Sequence, residues 1–172
     1  RKEPTSNDAY PLEKMVSLPS SVADALQLAT EAFPKKIIAL PEAVRSAQAH
    51  ASGSANETWQ ILLGLATVLH PLCFSDNPEK DGSITDTYKR MTGYDLSLRE
   101  SKATNAVPAY VRARRRTYEG RIIDITPHVK GRSGKRGETL RVHFAIDEKT
   151  ERIVIGHCGA HLDTAGTKRK GF

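Results

Sequence analysis

Residues 140 to 146, Leu-Arg-Val-His-Phe-Ala-Ile, alternate in a way that constrains the fold more than any other stretch of the chain. Leu140, Val142, Phe144 and Ile146 share one face of an extended segment, and Arg141, His143 and Ala145 share the other. That period of two belongs to a β-strand. A lone strand is not stable, so partners must follow. Asp147-Glu148-Lys149-Thr150 supplies a turn, and Glu151 to Ile155 reads as the returning strand. Arg121 to Ile125 is a shorter, β-branched candidate upstream. The expectation is an antiparallel meander with one half-buried face, displaying Arg141 and His143 about 7 Å apart on the other.

The preceding residues carry a different period. Ser21 and Asp24 have capping-box spacing ahead of Val22, Leu26, Ala29 and Phe33, and Pro34 ends that helix. Lys35 to Leu40 is a short apolar link and a strand candidate, and Pro41 fits the first turn of a helix over 41–51. Ser54 and Glu57 form a second capping box for a helix over 55–70, closed by Pro71, with His70 facing its C-terminal dipole. His50 reads as solvated. Residues 71–83, with Asn77-Pro78 and Asp81-Gly82-Ser83, read as loop, followed by a helix from Ile84 to Met91 that carries Tyr88. Asp95 is expected to cap another through Leu96, Leu98 and Arg99. The fold class is therefore α+β: an arm over 1–18, an N-terminal helical lobe over 19–110, and a small antiparallel β-meander in a basic domain over 111–172.

Charge divides at the same boundary. Residues 1–110 hold 11 basic against 13 acidic side chains, and residues 111–172 hold 15 against 7. A field concentrated in this way favours a polyanion, RNA in preference to DNA. The cations expected to track phosphates are Arg112, Arg114, Arg115, Arg116, Arg121, Lys130, Arg132, Lys135 and Arg136, arginine above all because its planar fork matches phosphate oxygens. The stretch from Gly131 to Gly137 resembles a phosphate loop in composition only, lacks the Walker spacing, and reads as a basic hairpin tip. An acidic partner protein, or a larger parent chain, would satisfy the same charge.

Several classes fall away. No apolar run approaches a membrane span of about 20 residues, so no membrane partner is expected. Arg1 to Asn7 does not open a secretory signal, and a first residue other than Met suggests a fragment; a cytoplasmic location is the expectation. Cys73 and Cys158 are too few for a disulfide framework and too far apart for a CxxC pair.

Four of the six histidines, His128, His143, His157 and His161, fall within the last third. Three readings of them stay open. Zinc accepts His157, Cys158 and His161, with His128 or His143 as a further ligand, but adjacent residues rarely converge on one ion; no metal or cofactor is expected. Metal-independent cleavage of RNA needs a base, an acid and a cation, for which the candidates are His143, His157, His161 and Arg141. In the third reading the histidines cap the strand exit at Gly156-His157-Cys158-Gly159, and the chain binds RNA or DNA without cutting it. Whether the chain is an enzyme therefore stays open.

The Leu140-Arg141-Val142-His143-Phe144 strand, the acidic turn, the apolar return and the closing Gly156-His157 and His161 resemble the RelE/ParE-like toxin fold over about the last fifty residues. The resemblance implies a small twisted antiparallel sheet packed on helices, and either an endoribonuclease that cuts mRNA on the ribosome or a gyrase poison. It would make Arg141 the strand arginine and His157 or His161 the late histidine, with Tyr118 and Arg121 adding to the phosphate surface. The large helical lobe and the Gly-His-Cys-Gly-Ala-His-Leu run depart from that family's pattern.

Overall fold

Helices start where a side chain satisfies their first N–H groups. In the computed structural model, which describes residues 18–76, 82–135 and 138–163, Ser21 accepts from Asp24 N at 3.0 Å and opens α1 (Val22–Ala32). The apolar link holds β1 (Ile37–Ala39), and Pro41 begins α2 (Pro41–Ala49). Ser54 accepts from Glu57 N at 3.1 Å ahead of α3 (Ala55–Gly64). The two boxes do not close as expected. Asp24 accepts from Ser20 N, one residue further upstream. The Glu57 carboxylate leaves its own helix and accepts from the backbone N–H groups of Arg132 and Ser133.

Pro71 does not end the central helix. A π-helical stretch over Leu65–Leu69 widens the turn, and His70 N–H reaches back to Leu65 O. Pro71, with no N–H to lose, then sits in the first turn of α4 (His70–Phe74). His70 is consequently not at a helix C-terminus, and its Nε2 bonds Glu151 O at 2.8 Å. α5 (Ile84–Thr92) ends on Gly93, whose φ of 76° suits glycine. Asp95 caps no helix. It begins β2 (Asp95–Ser97), because Leu96 finds Val129 across a strand pair.

Two short helices, α6 (Lys102–Asn105) and α7 (Pro108–Arg112), lead into a hairpin of β3 (Arg115–Tyr118) and β4 (Arg121–Asp124). The main sheet then continues with β5 (His128–Lys130), β6 (Arg141–Asp147) and β7 (Arg152–Gly159). Its order is β1-β7-β6-β5-β2, antiparallel except where β1 runs parallel to β7. A helical region is thus followed by a mostly antiparallel sheet, and the helical region lends that sheet both edges.

Both faces of β6 are covered, where the alternation predicts one. Val142 and Phe144 pack with Leu26, Ile61, Leu62 and Leu65 of the helices. Ala145 and Val154 lie under the β3–β4 hairpin, with Tyr118, Ile123 and Ile125. Gly156 is not a strand exit either. Phe144 pairs with Ile155 and His143 with His157, so Gly156 is the extra residue of a β-bulge and β7 runs on to Gly159. His50, expected in solvent, is buried. Among the described residues no helix is long and apolar enough to cross a membrane. Residues 1–17 of the expected arm, Asn77-Pro78, Asp81, Arg136, Gly137 and the basic tail from residue 164 lie outside the described residues.

Candidate functional site

The registers of four adjacent strands set Ser97, His128, His143 and His157 in one row across the sheet. The next row on that face is Asp95, Lys130, Arg141 and Gly159. The bulge is what completes the first row. Val154 lies beneath the hairpin, so unbroken alternation would turn His157 into the helical core and Cys158 out of it. The extra residue reverses this: Cys158 joins the core and His157 the histidine face. The rings of His128 and His143 stack with centroids 4.6 Å apart, and His157 meets His143 edge-on at 5.8 Å.

Hydrogen bonding orients these imidazoles. Nδ1 of His128 bonds Thr126 O at 2.9 Å, and Nδ1 of His143 bonds Ile125 O at 3.0 Å. A carbonyl only accepts, so both Nδ1 atoms carry the proton and both Nε2 atoms carry the lone pair in the neutral rings. His157 is the reverse tautomer, with Nε2–H donating to Ala160 O at 2.6 Å. Burial is the first reason that all three pKa values fall, for His143 to about 2. The neighbouring His128 and His157 depress His143 further. Arg116, His50 and His161 depress His157, which brings two more histidines within electrostatic reach.

Charge around the row is unbalanced. Arg114, between α7 and β3, is only 2% exposed; its Nε donates to Glu100 Oε1 at 3.0 Å and its Nη1 to Tyr110 O and Asp163 O. Arg141 is 8% exposed, donates to Leu140 O, and has no carboxylate ion-pair partner among the described residues. Two guanidiniums thus share the influence of one carboxylate. A buried cation without its own counter-ion is costly, and the group that would relieve it is an anion.

Arg141, His143 and His157 therefore lie on one face, with His161 within electrostatic reach of His157. His143, the base expected from the sequence, is 2% exposed and has its Nδ1 on Ile125 O. Three of the phosphate candidates have partners within the chain. Arg114 is withdrawn into its buried ion pair with Glu100. Arg116 spends Nε on Gly156 O and Nη1 on Ala113 O and Arg115 O, bracing the bulge. Arg121 forms a two-point ion pair with Asp147. Arg112, Arg115, Lys130, Arg132 and Lys135 are exposed, and Arg132 stacks 4.4 Å over the Tyr94 ring.

The cysteine-containing zinc set does not assemble. Cys158 is buried on the opposite face, and burial pushes its thiol up to about 12. The ligand-type side chains that do converge are Glu100, His128 and His143, with one donor atom from each lying within 4.8 Å of the others. Glu100 was missed by sequence reasoning, and His50 was read as solvated. Nothing near Glu100 in sequence marks it, and only the pairing of β2 with β5 brings it over the row. No protein-family model, curated protein or solved structure was found to match the chain.

Proposed function

We propose that this chain is an RNA-directed protein whose histidine face cleaves the RNA backbone by acid–base chemistry. The observation that carries the reading is Arg141, a buried guanidinium with no carboxylate ion-pair partner among the described residues, one row from three imidazoles. Such a group is suited to a phosphodiester, and exposed Lys130 stands beside it in the same row. His157 is neutral and half-buried, with its Nδ1 lone pair free to take the 2′-hydroxyl proton. The 2′-oxygen then attacks phosphorus, the bond to the 5′-oxygen breaks, and a proton passes from His161 to that leaving oxygen. A 2′,3′-cyclic phosphate and a 5′-hydroxyl remain. The likeness to RelE/ParE-like toxins points to mRNA on the ribosome as the substrate.

RNA labelled at its 5′ end, incubated in EDTA both free and on translating ribosomes, tests this. Wild type should leave cyclic phosphate ends and spare DNA, which lacks the attacking hydroxyl. His157→Ala should slow cleavage by about 10²-fold or more, the scale of one acid–base group. Arg141→Gln should weaken both binding and cleavage. RNA that binds yet stays whole on both substrates identifies a binding module and rules out the nuclease.

A further inference from the structure

The convergence of Glu100, His128 and His143 has consequences that do not depend on RNA. The three come from separate places: the segment after β2, the start of β5 and the middle of β6. Their donor atoms nevertheless lie within 4.8 Å of one another. Two imidazoles and one carboxylate form a donor set common in transition-metal sites. We propose that these residues form a binding site for one transition-metal ion of the zinc class, joining the segment ahead of α6 to the sheet.

Two features support the site. Both Nδ1–H groups are anchored on backbone carbonyls, Thr126 O and Ile125 O. Contacts of that kind fix a ligating histidine's tautomer and orientation, and His128 Nδ1 also lies 4.0 Å from Glu100 Oε1. Arg114 holds Glu100 through Oε1, which fixes the carboxylate and leaves Oε2 outside that ion pair. Donors on one zinc ion lie about 3.3 Å apart, for bonds of about 2.0–2.2 Å, so an ion would draw the three side chains closer than the 4.8 Å within which their donor atoms now lie.

The same surroundings determine which ion. Arg114 and Arg141 raise the cost of bringing any dication here, and that cost weighs most on ions held chiefly by electrostatics. Mg²⁺ and Ca²⁺ prefer several oxygen ligands and find one carboxylate. Zn²⁺, Co²⁺ and Ni²⁺ bond strongly to imidazole and can bear the adverse charge. The site should therefore discriminate sharply between the two classes.

The test uses the full chain, stripped with EDTA and titrated with Co²⁺, followed by visible absorbance and by competition with Zn²⁺. One equivalent should bind, Zn²⁺ should displace it, and excess Mg²⁺ should not. His128→Asn and Glu100→Gln should each weaken binding by at least about tenfold, since even outer-shell changes cost that much. Because Glu100→Gln also breaks the buried pair with Arg114, a second measurement leaves the chain intact. Co²⁺ should broaden the wild-type imidazole resonances of His128 and His143 and spare His70. Failure to bind Co²⁺, binding that survives both substitutions, or broadening centred on His157 and His161 overturns the site. RNA cleavage in EDTA is scored separately, so either proposal can fail without the other.

Discussion

The two faces of the central sheet are built by the same strands and share almost nothing else. Toward the helices, one row reads Leu96, Val129, Val142 and Cys158. One residue further along or back on each strand, the opposite face reads Ser97, His128, His143 and His157. The first row lies within a continuous apolar core and gains from every buried methylene. The second buries imidazoles and an arginine, groups whose removal from water must be offset by hydrogen bonds. Stability and chemistry are thus separated by the pleat of a strand.

The sharpest way to break this comparison is to damage the stabilising face alone. Phe144 is fully buried among the helices. Phe144→Ala should lower unfolding free energy by about 3–5 kcal/mol, measured by denaturant titration with circular dichroism. Surviving folded protein should keep the RNA binding proposed for the histidine face. A loss below about 1 kcal/mol would mean that the helical core does not carry the fold.

What could be read from the sequence follows the range of the interactions. The strand of Leu140 to Ile146 and the caps at Ser21 and Ser54 were legible because period and capping are local. Glu57 shows where locality ends: its N–H obeys the capping box, while its carboxylate crosses to Arg132 and Ser133, 75 and 76 residues away. The same limit hid β2, which is a strand because Leu96 meets Val129. It also made Arg114 look like a surface arginine, since its partner Glu100 is marked by nothing in the Arg112–Arg116 run. The gathering of histidines near residue 157 was visible, but the role of Gly156 was inverted, because an exit and a bulge call for the same small residue.

That glycine offers the second test, of intermediate size, because it decides which residues face the row. A Cβ at Gly156 would come within 2.6 Å of Ile125 Cγ2 and 2.9 Å of Ile125 Cδ1. Gly156→Ala should cost about 1–3 kcal/mol as overpacking. In an Ile125→Ala background the same substitution should cost less, because the clashing methyl groups are gone, and a double-mutant cycle reads the difference. Equal costs in both backgrounds would show that Ile125 is not what excludes a side chain there.

The smallest effect concerns how the hairpin over the histidine face is held. Asp147, at the end of β6, accepts from Arg121 Nη1 and Nη2 at 3.0 and 3.1 Å and from Thr150 N and Oγ1 at 3.0 and 2.6 Å. The bond from Arg121, with those from Thr150, holds its carboxyl below the usual carboxylate range. Glu119 is a further charge acting on Arg121. With the folded pKa depressed, the pair's contribution is complete above the unfolded value of about 3.9 and is lost as pH falls through the lower folded value. The contribution is modest because water reaches the Arg121 side chain, which is 34% exposed. Wild type should therefore exceed Asp147→Asn in stability at pH 6, and the difference should close in acid. Hydrogen exchange locates the effect: β3 and β4 should lose protection before Val142 and Phe144 do. Simultaneous loss in both regions would mean that the hairpin and the helical core open as one unit, and the two faces would then differ in chemistry but not in how they are held.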